Sequence, residues 1–133
     1  MKPVWIIDDD RSIRWVFEKA LTRENIAFRT FPSAQEALVA LNTETPQVVV
    51  SDIRMPGESG LELLQRAKAL HASLPVIIMT AYSDLESAVT AFQGGAYEYL
   101  PKPFDVDHAV ELIRRAMEES MRQIEQAKKI EEI

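Results

Sequence analysis

The sequence predicts an α/β fold, in which a doubly wound, five-stranded parallel sheet of order 2-1-3-4-5 is covered by helices on both faces. Short apolar runs alternate with longer helical segments five times along the 133 residues, which is the pattern of successive βα units. Three of the apolar runs lack an alternating pattern, as is typical of strands buried on both faces. Serine and aspartate residues that start helices follow the strands.

The strands are predicted at residues 4–8, 26–31, 47–51, 75–80 and 97–100. The first, third and fourth, VWIID, QVVVS and PVIIMT, are the continuous apolar runs, so they are placed in the centre of the sheet. The second, IAFRTF, alternates its side chains between two faces and is placed at an edge. Right-handed crossovers between these strands then give the order 2-1-3-4-5.

The helices are predicted from periodicity and from their caps. The first, residues 12–24, has apolar side chains at three- and four-residue spacing. Gly94-Gly95 ends the fourth helix, and Asp105 caps the fifth. The second, third and fourth helices each begin with a capping box, a serine followed three residues later by a glutamate. These pairs are Ser33 with Glu36, Ser59 with Glu62, and Ser83 with Glu86.

The fifth helix is predicted to begin near Val106 and to continue toward Ile133, a length on the order of 40 Å. A small sheet needs less, so residues 1–120 are predicted as the folded domain and 121–133 as a helical extension toward an effector domain. Beyond Ile124 the apolar pattern weakens and Glu131 interrupts it. We therefore expect weak homodimerisation through this helix rather than a strong coiled coil.

Composition excludes several classes of protein. The chain has no cysteine, which rules out a disulfide framework and thiolate metal sites. Its net charge of −6 argues against nucleic acid binding by this chain alone. No run has the length of a membrane span or the pattern of a signal peptide, so we expect a cytoplasmic protein without a membrane partner.

Ionisable and polar side chains collect where the predicted strands end. Asp8, Asp9 and Asp10 end the first strand, and Asp52 ends the third. The fourth strand ends at Thr80, and Lys102 follows the fifth. Because the carboxyl ends of parallel strands share one edge of a sheet, these groups are expected to form one site.

A cluster of carboxylates requires a counter-charge. Like charges ~4–6 Å apart repel by on the order of a few kcal/mol at an effective dielectric near 20. Oxygen ligands of this kind suit Mg²⁺. With Lys102 as a cation and Thr80 as a hydroxyl donor for a phosphoryl group, Asp52 is predicted to be a nucleophile toward phosphorus.

The motifs IIDDD, VVVSDIRMPGESG, PVIIMTAYSD and GAYEYLPKPF together resemble the receiver domain of two-component response regulators. The similarity covers about residues 3 to 120. The residue patterns DDDRSIRWV, SDIRMPG and YLPKPFD are similar to those of the nitrogen-regulation (NtrC-type) subfamily. The resemblance implies a flavodoxin-like receiver fold. It also implies a signalling switch in which Asp52 accepts a phosphoryl group from a histidine kinase.

The resemblance further implies the metal ligands. Asp8 and Asp9 would hold Mg²⁺ together with Asp52 and the main-chain carbonyl of Arg54, Asp9 directly and Asp8 mostly through water. Three acids stand where the pattern needs two. Asp10 is therefore left either as a helix cap or as a charge outside the direct ligands.

Other implied roles concern the phosphoryl group and its readout. Thr80 and Lys102 would bind phosphoryl oxygens, and Tyr99 would turn inward when Thr80 moves. Receivers of this type commonly have a cis peptide at the position of Lys102–Pro103.

Two further groups of residues near Asp52 and Thr80 are given predicted roles, one in the phosphoryl lifetime and one in the output surface. Arg54 and Tyr82 lie two residues beyond these side chains and are expected to overhang the path of attacking water, so they should set the phosphoryl lifetime. In the NtrC-type family the fourth helix moves on activation and exposes an apolar surface to the next domain. Here that surface would be formed by Leu85, Ala88, Val89 and Phe92.

The resemblance implies an ATPase domain and a DNA-binding domain in the parent protein, a role in transcription, and no turnover of an outside substrate. An alternative is a Mg²⁺-dependent phosphatase of the haloacid dehalogenase type, because Asp8-Asp9-Asp10 contains the Asp-x-Asp spacing of those enzymes. A receiver-like domain that no longer accepts phosphate is a second alternative.

Overall fold

The computed structural model describes residues 2–55, 60–81 and 84–132. Strands and helices alternate along the whole of this chain. The elements are β1 (Val4–Ile7), α1 (Arg11–Arg23), β2 (Phe28–Phe31), α2 (Ala34–Leu41), β3 (Val48–Asp52), α3 (Gly60–Leu70), β4 (Val76–Ala81), α4 (Leu85–Gln93), β5 (Glu98–Lys102) and α5 (Val106–Glu132).

The strands form one parallel sheet in the order β2-β1-β3-β4-β5, which confirms the predicted topology. The register aligns their carboxyl ends. Ile7 lies beside Ser51, Asp52 beside Met79, and Ala81 beside Lys102. The residues that follow β1, β3, β4 and β5 consequently lie along one edge.

Alternate side chains of the central strands build two apolar layers. Trp5, Ile7 and Ile78 pack on the face covered by α2 and α3, while Ile6 and Met79 pack on the face covered by α1 and α5. All five are at most 1% exposed. Burial on both faces explains why β1, β3 and β4 have uninterrupted apolar sequences.

β1, β3 and β4 differ from their predicted bounds by no more than one residue at either end, whereas β2 and β5 each differ by two residues at one end. β2 begins at Phe28, not at residue 26, because the Ile26 N–H donates to the Leu21 carbonyl at the end of α1 and Asn25 adopts a positive φ of 57°. β5 begins at Glu98 and extends to Lys102. Lys102 is therefore the last residue of the strand, whereas the sequence placed it just beyond.

The helix starts confirm some caps and correct another. Ser33 accepts a hydrogen bond from the Glu36 N–H, as predicted. The N-cap of α4 is Asp84, whose carboxylate accepts from the Ser87 N–H, so the predicted box starting at Ser83 is one residue early. Ser83 itself, like Ser59 before α3, lies outside the described residues.

The long final helix is confirmed. α5 runs for 27 residues from Val106 to Glu132, and the Asp105 carboxylate caps it by accepting the Asp107 N–H at 2.8 Å. Pairing through its distal half, and the division of the chain at residue 120, stay predictions. Within the part of the chain that the structure describes, no helix is both long and apolar enough to cross a bilayer.

Candidate functional site

Three carboxylates meet at the carboxyl edge of the sheet. Asp8 and Asp9 directly follow β1, and Asp52 is the last residue of β3. One oxygen from each lies within 4.8 Å of the others. Asp8 is fully buried and Asp52 is 9% exposed, whereas Asp9 is exposed.

Lys102 brings the counter-charge into this cluster from β5. Its Nζ lies 2.8 Å from Asp8 Oδ2 and 3.5 Å from Asp52 Oδ1. The ammonium group therefore bridges the two buried carboxylates. It is one positive charge facing three negative ones, so the cluster remains negative.

The pKa values reflect this crowding. Burial, followed by the charge of Asp8, raises the pKa of Asp52 from 3.8 to about 6, even though Lys102 acts in the opposite direction. Burial alone would lower the pKa of Lys102, but the hydrogen bond and charge of Asp8, with the charge of Asp52, outweigh it and raise that pKa. Asp52 is therefore still mostly ionised at neutral pH, and an additional positive charge beside it would bring its pKa back down toward the ordinary value.

Local hydrogen bonds fix the loop after β1. Asp8 Oδ1 accepts the Asp10 N–H at 2.9 Å, and the Asp8 carbonyl accepts from Arg14 Nη1 at 2.7 Å. The Asp10 carboxylate accepts the Ser12 N–H at 2.8 Å and caps α1. Of the two roles left open for Asp10, the structure assigns the helix cap.

Of the remaining predicted phosphoryl and switch residues, Thr80 lies at the same edge, whereas Tyr99 is the second residue of β5 and lies beside Ile78. Thr80 is next to last in β4 and 2% exposed. Tyr99 on β5 packs edge-on against Phe92 of α4, with ring centroids 5.6 Å apart. The Lys102–Pro103 peptide is cis, as the resemblance implied.

Arg54 has a partner that the sequence did not indicate. Its Nε donates to Asp84 Oδ2 at 2.7 Å, which joins the loop after β3 to the N-cap of α4. The hydrogen bonds from Arg54 and Ser87 lower the pKa of Asp84 to about 2. The metal-ligand role of the Arg54 carbonyl stays a prediction, and Tyr82 lies outside the described residues.

Gly60 is a site residue that the sequence analysis missed. A Cβ at this position would lie 2.2 Å from the Asp52 carbonyl oxygen and 2.7 Å from the Ile53 Cα. The Gly60 N–H also donates to the Ile53 carbonyl at 3.0 Å. The first residue of α3 thus presses against the backbone that carries Asp52, and only glycine has room there. The signal available in the sequence was the glycine that ends GESG.

The predicted apolar surface of α4 is present in part. Leu85, Val89 and Phe92 are 66%, 49% and 42% exposed. Ala88 is 2% exposed, so its assignment to this surface was wrong. It lies on the side of α4 that, with Ala91, is buried.

The residues at this edge fit a hard divalent cation. Carboxylate oxygens are the ligands that Mg²⁺ prefers, and one or two carboxylates are enough when waters and phosphate oxygens complete its shell. Asp9 is exposed to solvent and Asp52 nearly buried, so a cation held between them can also contact an incoming ligand. The excess negative charge and the raised pKa of Asp52 supply the electrostatic reason for binding one.

Comparisons with known proteins agree with this geometry. The family model described as the response regulator receiver domain matches residues 4–114. The chain is 60% identical, over 113 residues, to the DNA-binding transcriptional regulator NtrC of Klebsiella pneumoniae. That alignment covers 85% of this chain but 24% of the relative, so the chain spans about a quarter of the curated proteins that it matches.

Solved receiver structures share the fold. The apo receiver domain of nitrogen regulatory protein C superposes with a TM-score of 0.80 at 56% identity, covering 88% of this chain and 94% of that one. The receiver domain of NtrX from Brucella abortus gives a TM-score of 0.82 at 35% identity, covering 86% and 98%.

Replacing Asp52 with Asn should change how stability depends on pH. A carboxyl group whose pKa is raised by folding stabilises the fold fully below its ordinary pKa of 3.8, and that contribution is lost as the pH rises through about 6. In the presence of EDTA, wild type should therefore lose on the order of 3 kcal/mol relative to Asp52→Asn between about pH 4 and pH 7.5. Urea unfolding at the two pH values measures this, with the exposed-carboxyl variant Asp107→Asn as control. If the free energies of unfolding of wild type and Asp52→Asn differed by the same amount at both pH values, the raised pKa of Asp52 would be contradicted.

Replacing Gly60 with Ala should destabilise the domain. The added methyl group meets backbone atoms, which cannot rotate away, so we expect a loss of about 1–3 kcal/mol or more in the free energy of unfolding. Gly94→Ala is the matched control, because the nearest atom to its added Cβ is Leu64 Cδ2 at 3.4 Å. Equal stabilities of the two variants in urea would show that the contact at Gly60 is easily relaxed.

Replacing Asp84 with Asn should loosen the start of α4. Asparagine still caps a helix, but it removes the charge that pairs with Arg54. Because the pKa of Asp84 is lowered to about 2, this pairing is present above its ordinary pKa of 3.8 and lost only as the pH falls through about 2. At neutral pH we expect amide exchange of residues 85–88 to rise roughly two- to fivefold, since partly exposed ion pairs are weak. Asp105→Asn, at the cap of α5, should change exchange of residues 106–109 less; equal effects would contradict a specific role for Arg54.

Proposed function

The chain belongs to the response regulator receiver domain family, and we propose that it is a Mg²⁺-dependent switch in which Asp52 accepts a phosphoryl group from a histidine kinase. The observation that carries the proposal is the bridge from Lys102 to Asp8 and Asp52 inside a negative cluster. In this arrangement the nearly buried carboxylate of Asp52 lies next to the Lys102 ammonium group, which can move its hydrogen bonds to an arriving phosphoryl group. The relatives named above support the same role.

In the proposed reaction an Asp52 carboxylate oxygen attacks the phosphorus of the kinase's phosphohistidine. A P–O bond forms, the P–N bond breaks, and the imidazole leaves with the electron pair and takes up a proton. Lys102 Nζ, 3.5 Å from Asp52 Oδ1, moves to a phosphoryl oxygen, and the Thr80 hydroxyl donates to another. Two such charge-assisted contacts, at ~1.5–3 kcal/mol each, contribute ~3–6 kcal/mol, and the upper end of that range reaches the value of about 5.5 kcal/mol that reverses a conformational ratio of 1:99.

Asp8, Asp9 and Asp52 are the residues that would hold Mg²⁺, with the Arg54 carbonyl as a further ligand. The ion, when bound, neutralises the phosphoryl oxygens and allows a doubly negative group to approach a cluster of carboxylates. Asp9 is the direct ligand in this proposal. Asp8 acts through water and through Lys102, to which its Oδ2 is bonded.

Hydrolysis of the phosphoryl group by in-line water would reset the switch, and we assign its rate in part to Arg54 and Tyr82. No outside substrate is turned over in this proposal. The phosphatase alternative requires a nucleophile after β1. Asp8 is fully buried and bonded to Lys102, and Asp10 caps α1, so neither is disposed for that role.

The readout is proposed to run through Thr80 and Tyr99 to α4, whose exposed Leu85, Val89 and Phe92 would meet the next domain. The relatives are DNA-binding transcriptional regulators, and the aligned region is 24% of their length. A parent protein with an ATPase and a DNA-binding domain, active in transcription in the cytoplasm, is therefore part of the proposal. Weak homodimerisation through the distal part of α5 also remains part of it.

Incubation with acetyl phosphate tests this function. We expect intact-mass analysis to show one added phosphoryl group in the presence of Mg²⁺, and we expect none in EDTA or in Asp52→Asn. The reason is that the negative cluster admits a phosphate dianion only when a cation is present. Asp10→Asn, which keeps a helix-capping side chain, is the matched control and should be modified like wild type.

A mass increase that survives Asp52→Asn, or that forms fully in EDTA, would remove the proposal. Loss of modification in Asp10→Asn with retention in Asp52→Asn would instead favour the phosphatase chemistry.

A further inference from the structure

A cavity of about 640 Å³ lies at the edge of the sheet opposite Asp52. We name it the amino-edge cavity and define it by Thr45, Gln47, His71, Leu74, Met117 and Met121, which line it. Its floor is formed by residues just before β3 and β4, and one wall is formed by α5. The volume is in the range of sites for small molecules.

A buried amide with an unused acceptor belongs to this cavity. Gln47 is 7% exposed, and its backbone N–H donates to the Pro3 carbonyl at 2.8 Å, so the residue is fixed in place. Its side-chain Oε1 is buried, and among the described residues it has no hydrogen-bond partner. Buried polar groups are normally paired, so this oxygen is free to accept a hydrogen bond from a donor outside the described residues.

The other walls are apolar or weakly polar. Leu74 is 4% exposed, and Met121 is 51% exposed, so the cavity has a closed end and an open one. His71 Nε2 and Thr45 Oγ1 lie 3.3 Å apart and already pair with each other. Methionine side chains such as Met117 and Met121 adapt their shape to what they cover.

We infer that the amino-edge cavity binds a small, neutral, mostly apolar molecule with an N–H donor, which satisfies Gln47 Oε1 and packs against Leu74 and the two methionines. Among the described residues that line the cavity, none carries a carboxylate and one, Lys2, is charged and exposed, so neither a cation nor a strong anion is favoured. A planar heterocycle fits this description. A single water molecule would pair with Gln47 Oε1 but would leave the apolar side chains of the cavity exposed to solvent.

Such a molecule would also affect α5. Met117 packs against the core cluster of α1 and α5, whereas Met121, one turn later, is exposed. A ligand held between Leu74 and Met121 would extend the packed part of the helix by that turn. Binding at this site should therefore reduce amide exchange in residues 117–121.

Indole and 1-benzothiophene make a matched pair of probes, since they have nearly the same shape and only indole has an N–H donor. In amide-resolved NMR titrations of the full chain, we expect saturable shifts at Gln47 and Met121, with no shift at Asp52. Indole should bind about tenfold more tightly than 1-benzothiophene, as for one neutral hydrogen bond. Gln47→Leu should reduce this preference to within about twofold, and Gln35→Leu, an exposed glutamine on α2, should leave it unchanged.

Ser120→Tyr, which fills the cavity from α5, should abolish binding of both probes and keeps the test valid if Gln47→Leu does not fold. Shifts that do not saturate, or equal affinities for the two probes, would overturn the inference. A dilution series without any probe adds one more outcome. Shifts of Gln47 and Met121 that depend on protein concentration would show that a second copy covers the cavity, which would also overturn it. None of these readouts depends on phosphorylation, so the result is independent of the proposed function.

Discussion

The ammonium group of Lys102 is the contact on which the rest of the site depends. Asp8 is fully buried, and burying a charge is costly unless the charge is paired and hydrogen-bonded. Lys102 Nζ, at 2.8 Å from Asp8, supplies that partner and reaches Asp52 as well. Its residue lies at the end of the last strand, 94 positions after Asp8. The site is therefore complete only when β5 has joined β4, so the fold and the chemistry form together.

Much of the fold and the centre of the site could be predicted from the sequence. Uninterrupted apolar runs identify β1, β3 and β4 as central strands, and their order then places Asp8, Asp52 and Thr80 on one edge. What escaped prediction depends on contacts between distant elements. Ser83 and Asp84 are equally good caps by type, and the choice depends on the position of Arg54. Gly60 is required by the backbone of Asp52, which no local pattern reveals.

The burial of α4 side chains could likewise not be predicted from spacing alone, and it determines how firmly this helix is packed. By spacing, Ala88 and Val89 belong to one apolar stripe, yet the former is buried and the latter half exposed. The helix buries only Ala88 and Ala91, whereas α3 buries Leu63 and Leu64. Small side chains bury little apolar area, so α4 is the helix held least firmly by packing. The ion pair between Arg54 and Asp84 therefore contributes more to holding α4 in place than a single ion pair contributes to a well-packed helix.

The length of α5 turns a local change into a large one. The helix starts just after the strand that carries Lys102 and extends over 27 residues to Glu132, on the order of 40 Å. The start of the helix is held near the carboxylates, and its packing against the domain ends near Met117, at the amino-edge cavity. A rotation of about 5° at Val106 would displace the far end by about 3.5 Å, which would change the direction in which the helix leaves the domain.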